Sequence, residues 1–311
     1  MRPAGSILLL TTVTGFAYGL LAWIGAYACL GLPAAATHLV FSSVTLGLVL
    51  ASIGLAASAL HLGRKERAWR AFSQWRSSWL SREGVGAVLT YPVAILFAAA
   101  LHADRGGIPT RLLGAAVVVT SLGTVLCTAM IYASLKPIRQ WHNTHTAPDY
   151  LIYALFSGAL LFALLHTALL GRPGPTDLIA AATAAVALLA KQAYWRHVDA
   201  QTPLASLTAA IGLPRDIEAR PLDAPHFTEN YVLREMGFAI ARRHRVRLRR
   251  IALGLAFAVP LGLSLLASLA IVPLAAIAAA LVCAALGLLA ERWLFFAEAT
   301  HVSALYYGHR I

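Results

Sequence analysis

The sequence predicts an all-α integral membrane protein, a bundle of eight transmembrane helices, on three observations. Of the 311 residues, 59% are hydrophobic and only 12% are charged, about half the charged share of an ordinary soluble domain. Apolar stretches of roughly 20 residues recur eight times, each long enough to cross the hydrocarbon core as a helix. Lys and Arg fall almost entirely in alternate connections between those stretches. Helices follow because a span in lipid must satisfy its own backbone hydrogen bonds, and the weak alternation of a membrane barrel is absent. The net charge of +12 is therefore no nucleic-acid footprint. Its cations flank apolar spans, where they meet lipid headgroups or set orientation.

The elements follow in chain order. The first span, about 6–31, opens in MRPAGSILLLTTVTGFAYGLLAWIGAYACLGL, which lacks a small-residue cleavage site and is too long for a signal peptide, so it reads as retained. The second, about 38–61, ends on His61. Residues 62–83 form a loop in which Ala68, Phe72, Trp75 and Trp79 share one arc of a helical wheel, with Arg67, Arg70, Gln74 and Ser77 opposite. That spacing predicts an interfacial amphipathic helix with its aromatics at headgroup depth. Spans three to six lie at about 84–102, 112–135, 150–170 and 177–195. Residues 196–250 form a long basic loop. Prolines punctuate its first half, and TENYVLREMGFAIARRHRVRLRR in its second half predicts a helix capped near Thr228, with Glu229 in the first turn. Charge alone does not choose between a headgroup anchor and a docking surface for a partner. Spans seven and eight, about 251–270 and 274–296, join in a tight hairpin at Pro273.

The basic residues give the bundle a sidedness. The second connection holds Arg64, Lys65, Arg67, Arg70, Arg76 and Arg82, and the fourth holds Lys136 and Arg139. The sixth contributes eleven residues, from Lys191 to Arg250, and Arg2, Arg292 and Arg310 lie on the same side. Only Arg105, Arg111 and Arg172 lie on the other, a division of 22 to 3. By the positive-inside rule the first side is cytoplasmic, with both termini in, as expected of a multi-pass protein of a bacterial inner membrane.

The polar candidates gather on that face. His61 ends span two and Glu83 begins span three, ionisable groups at the lipid boundary where a functional role is the default reading. Tyr132 and Lys136 end span four, and Glu291 and Arg292 lie near the end of span eight. The opposite rim offers His38, His102 and Asp104, and His166 stands deeper. Cys29, Cys127 and Cys283 lack metal spacing, so no iron–sulfur cluster, zinc or other metal is expected in this chain. A haem shared by His38 and His61 is ruled out, because 23 residues of one helix hold them roughly 35 Å apart. Quinone chemistry fits better. Oxidising a quinol releases two protons and two electrons, and a histidine with a nearby carboxylate accepts protons near neutral pH. Tyr132, Lys136, Glu291 and Arg292 are candidates for binding quinone oxygens, and Lys136 and Arg292 equally for snorkelling cations that hold helix ends. The contrasting reading is a polytopic secondary transporter or ion-conducting protein without a redox partner, and a purely structural anchor is a third. Transporters tend to carry charges in broken helices at the midplane, which these spans lack.

Four segments, HLGRKERAWRAFSQWRSSWLSREG, CTAMIYASLKPIRQWHN, TENYVLREMGFAIARRH and ERWLFFAEATHVSALYY, give the chain a resemblance to the membrane anchor subunits of dimethyl-sulfoxide-reductase-type molybdoenzymes. The resemblance implies a haem-free anchor that binds menaquinone or ubiquinone and exchanges electrons with an iron–sulfur subunit that has four [4Fe–4S] clusters. That subunit in turn holds a catalytic subunit with a molybdenum (or tungsten) bis-pterin cofactor. It also implies that His61 is the quinol-site histidine and Glu83 its acidic partner. Arg64, Arg67, Arg70, Arg76 and Arg82 would then seat the iron–sulfur partner.

Overall fold

Long runs of Ala, Leu, Val and Gly with few interior prolines leave the backbone one economical solution, the self-satisfied helix. The computed structural model describes residues 3–31, 37–60, 64–104, 106–171, 174–201, 206–214, 217, 219, 222 and 244–303. Eight of its helices are long and apolar enough to span a membrane. They are α1 (Gly5–Cys29), α2 (Thr37–Ala59), α3 (Trp79–Ala103), α4 (Ile108–Ala133), α5 (Thr146–Leu170), α6 (Pro175–Asp199), α7 (Arg245–Ser268) and α8 (Pro273–Ala297). His61, Arg105, Arg172, Arg310 and the helix expected from Thr228 lie outside the described residues.

The helices divide into two rings of four. In the first half α1 packs on α2 and α4, and α3 joins α2 to α4. In the second, α5 packs on α6 and α8, and α7 joins α6 to α8. The halves meet chiefly where α1 lies along α5. In α1 and α5, 67% of the most apolar stretch is buried, against 33–39% in the other six. Those two helices form the centre of the molecule, and the others turn residues such as Val119, Leu189 and Val282 outward, as lipid requires.

Glycine sets how closely the central pair approaches. A Cβ on Gly19 would collide with the Ala154 carbonyl, and one on Gly158 with the backbone of Gly19 and Leu20. Small residues at a seam let helices gain van der Waals contact that lipid cannot replace. In α7, Gly254–Ala258 widens into a π turn just before Pro260. Proline lacks an N–H and its ring clashes with the preceding turn, which the wider turn relieves.

The 62–83 loop departs from its expected form. Lys65–Phe72 is a 3-10 helix, turns follow to Ser77, and α3 starts at Trp79 rather than 84. Three residues per turn undo the wheel argument, which assumed the α period. Arginines and tryptophans pair instead of occupying opposite faces. Arg70 stacks over Trp69, Arg76 over Trp75 and Arg82 over Trp79. Arg82 also donates from Nε to the Trp75 carbonyl (2.9 Å) and from Nη2 to the Arg76 carbonyl (2.6 Å), which ties down the turn. The helix begins early because Ser78 Oγ accepts the Ser81 N–H (3.5 Å), and helix continues through Arg82 and Glu83 although hydropathy stops short of them.

Candidate functional site

The two halves carry their buried polar groups differently. In the first, Glu83 sits in the opening turns of α3 and is only 7% exposed. Thr128 of α4, one turn from its own helix end, donates to Glu83 Oε1 at 2.7 Å. Among the described residues Glu83 forms no ion pair. It is therefore a buried carboxylate with a neutral hydroxyl for a partner, directly after the arginine–tryptophan loop. In that loop Arg64, Arg67, Arg70 and Arg76 are exposed, as are Trp69 and Trp75, whereas Arg82 is half-buried and engaged by the turn.

In the second half the charges are matched. Lys191 Nζ of α6 donates to Glu291 Oε1 of α8 at 2.5 Å, and both side chains are 1% exposed. Arg292 Nε lies 3.6 Å from Glu291 Oε2, and the guanidinium covers the Tyr150 ring at 3.7 Å. Tyr153 donates to Asp149 Oδ2 at 3.3 Å, one helical turn back on α5. Two cations and two carboxylates thus share one enclosed region, with Lys191 also lying over the rings of Tyr194 and Trp195. Closer to the helix ends, Arg249 grips Glu298 through two 2.8 Å hydrogen bonds and reaches Asp199 at 2.6 Å.

This arrangement corrects the placement of Lys191 and locates the other candidates. Lys191, counted above among the basic residues of a connection, is inside α6, because a strong carboxylate partner offsets the loss of hydration. Glu291 and Arg292 are enclosed in the same network, with the Glu291 carboxylate engaged by Lys191 and facing Arg292. Tyr132 packs its ring among Trp141, Tyr150, Phe295 and Phe296, with centroids 5.2–5.8 Å away. Lys136 is exposed on the α4–α5 connection and joins none of these groups among the described residues. The structure therefore gathers Glu291 and Arg292, places Tyr132 beside them, and leaves Lys136 apart.

The connection that carries Lys136 is a clasp. Trp141 Nε1 donates to the Phe295 carbonyl (2.9 Å), and Tyr194 OH to the Gln140 carbonyl (2.9 Å). Asn143 Oδ1 accepts the backbone N–H groups of His145 and Thr146, and so caps α5. An isolated bridge joins Ile138 to His301. Much of the segment CTAMIYASLKPIRQWHN therefore locks α4, α5, α6 and α8 together at one end of the bundle.

Between the halves lies a cavity of about 20 Å³, whose lining includes polar side chains from α1 (Thr11, Thr12, Thr14), α4 (Thr128), α5 (Tyr150, Tyr153, Ser157) and α8 (Arg292). Sequence reasoning missed this meeting of Thr128, Tyr153 and Arg292, and the roles of Asp149 and Lys191. The only signal was five hydroxyl or charged residues near the same ends of α4, α5, α6 and α8, and that face already held many such groups.

Residues 4–308 match the model of a family described as DMSO reductase anchor subunit (DmsC). The chain is also 35% identical, over 334 aligned positions, to a subunit of the sulfite dehydrogenase of Allochromatium vinosum, with 99% of each chain covered.

Proposed function

This chain belongs to the DMSO reductase anchor subunit (DmsC) family, and from that membership we propose that it exchanges electrons between the quinone pool and an iron–sulfur subunit. It is the membrane anchor subunit of a complex of that type, which sets aside the transporter reading. The observation that carries the quinol assignment is Glu83, a buried carboxylate held by Thr128 without a counter-cation among the described residues. Taking a proton from a quinol hydroxyl removes the charge that burial disfavours. Quinol then yields quinone, two protons and two electrons. Glu83 receives one proton at its carboxylate, and His61, at the end of the preceding span, receives the other. Thr128 orients the carboxylate. Bound menaquinone or ubiquinone would supply the redox chemistry, while these side chains move the protons.

The electrons leave through the partner. Exposed Trp69 and Trp75, with Arg64, Arg67, Arg70 and Arg76 between and beside them, offer rigid aromatic area and positive charge immediately before Glu83. Those are the features that seat an acidic docking face. The partner is an iron–sulfur subunit with four [4Fe–4S] clusters, bound in turn to a molybdopterin catalytic subunit. The excess of Lys and Arg on this face supports a cytoplasmic location for it in an inner membrane. The relative's place in a sulfite dehydrogenase supports the reverse direction, electrons passing into quinone, as the second reading.

Purification of the complex in mild detergent tests the proposal, with metal analysis and titration of a quinol analogue. Molybdenum or tungsten and iron should co-purify, and His61→Ala should abolish analogue binding while the metals remain. Analogue binding unchanged in His61→Ala would move the quinone site elsewhere, and a metal-free chain would remove the redox partner.

A further inference from the structure

The cavity between the halves joins two carboxylates that lie in different four-helix rings. On one wall Thr128 Oγ1 donates to Glu83 Oε1 at 2.7 Å. On the facing wall Tyr153 OH donates to Asp149 Oδ2 at 3.3 Å. Thr128 and Tyr153 line the same cavity, and each hydroxyl has a carboxylate as hydrogen-bond partner. Two further lining groups, Thr12 Oγ1 and Tyr150 OH, are buried and have no hydrogen-bond partner among the described residues. Thr12 is 6% exposed and Tyr150 3%. Buried hydroxyls are rarely left unsatisfied, and about 20 Å³ with several polar partners is room for roughly one or two water molecules.

We infer that this cavity is a water site that relays protons from Glu83 to Asp149. The inference rests on the reading of Glu83 as the acceptor of a quinol proton. When Glu83 is protonated, its O–H turns to donate to Thr128 Oγ1. The threonine proton turns to the cavity water, the water donates to the Tyr153 oxygen, and the tyrosine proton passes to Asp149 Oδ2. Each hydroxyl and the water accept one proton and give one up, so one proton leaves Glu83, one arrives at Asp149, and no other bond changes. Thr12 and Tyr150 hold the water. Arg292, 3.7 Å over the Tyr150 ring and 5.2 Å from the Tyr153 ring centroid, keeps the passage electropositive and so stabilises a transient tyrosinate oxygen.

Asp149 is suited to the receiving end. It lies in the first turn of α5, near the same end of the bundle as Glu83. It is faced by Tyr153 from its own helix, by Lys191 from α6, and by Glu291 and Arg292 from α8. The proton therefore crosses from one half to the other without crossing the membrane. Next to Ser157 the seam between the halves closes to tightly packed backbone, at Gly19 and Gly158.

The test uses the whole complex in lipid nanodiscs, with infrared difference spectroscopy of the carboxyl stretches assigned through Glu83→Gln and Asp149→Asn. A pH jump without quinol reads the relay alone. In wild type the Glu83 and Asp149 bands should change at a common rate, and in Tyr153→Phe the two rates should separate. Thr12→Leu, which fills the cavity while leaving both hydroxyl–carboxylate bonds intact, should separate them likewise. With quinol, Tyr153→Phe should slow turnover about 100-fold, in the range of a lost proton-transfer group, with analogue affinity unchanged. Common rates retained in both variants would overturn the relay. A wild-type complex that shows the common rate but binds no quinol analogue would instead overturn the quinol reading and leave the water path standing.

Discussion

The two halves of the molecule are the same up-and-down ring of four helices, yet they bury charge in opposite ways. The second half encloses Lys191, Glu291 and Arg292 as a matched set, with Asp149 beside it on the Tyr153 hydroxyl. The first encloses Glu83 with a threonine hydroxyl. A matched set inside a low-dielectric interior resists any change in protonation, because losing one charge strands its partner. A lone carboxylate does the reverse, since gaining a proton relieves its burial. The difference separates ion pairs built to hold their geometry from the hydroxyl-bound carboxylates Glu83 and Asp149, which are free to titrate across the cavity between the halves.

The largest effect should come from breaking the matched set. Lys191→Met leaves Glu291 with its carboxylate buried and its closest cation gone, which should lower stability by about 3–5 kcal/mol. Thermal unfolding of the detergent-solubilised complex would measure this, and Lys191→Met combined with Glu291→Gln should recover much of the loss. A single variant as stable as wild type would break the contrast between the halves.

The second effect is functional. Glu83→Gln keeps the shape and the Thr128 hydrogen bond but removes the titrating group. Quinol-dependent turnover should fall about 100-fold, while the melting temperature and the content of co-purified metals stay at wild-type values. Turnover at the wild-type rate would show that the unmatched carboxylate does not handle protons.

The smallest effect concerns the loop. Arg67 and Arg70 are exposed, and solvent-exposed ion pairs contribute roughly 0.2–1 kcal/mol each. Arg67→Ala and Arg70→Ala should each weaken binding of the soluble subunits only slightly at low salt, and the loss should vanish as salt screens the interface. A salt-independent loss, measured by dissociation of the soluble subunits from membranes, would point to the stacked tryptophans rather than to charge.

Much of this was legible in the residues. Eight spans, their approximate extents and the concentration of basic residues follow from length, hydropathy and charge position. Glu83 was also legible, because a carboxylate at a lipid boundary stands out against apolar neighbours. The 3-10 form of Lys65–Phe72 was not, since an α-helical wheel presumes the period it sets out to test. Lys191 was misplaced among connection residues for a related reason. A cation near a span end looks like a snorkelling side chain until its partner, 100 positions away in the chain, is known.

The sequence by itself determined that the chain crosses a membrane eight times and that its ionisable groups gather at one end, because hydropathy and charge act residue by residue. Only the tertiary structure decided which charges are matched and which has a hydroxyl for its partner among the described residues. Pairing depends on distances between helices, and those are set by where backbones can approach, as at Gly19 and Gly158. No local pattern along the chain encodes that Thr128 reaches Glu83, that Lys191 reaches Glu291, or that Thr128 and Tyr153 share a cavity between the halves.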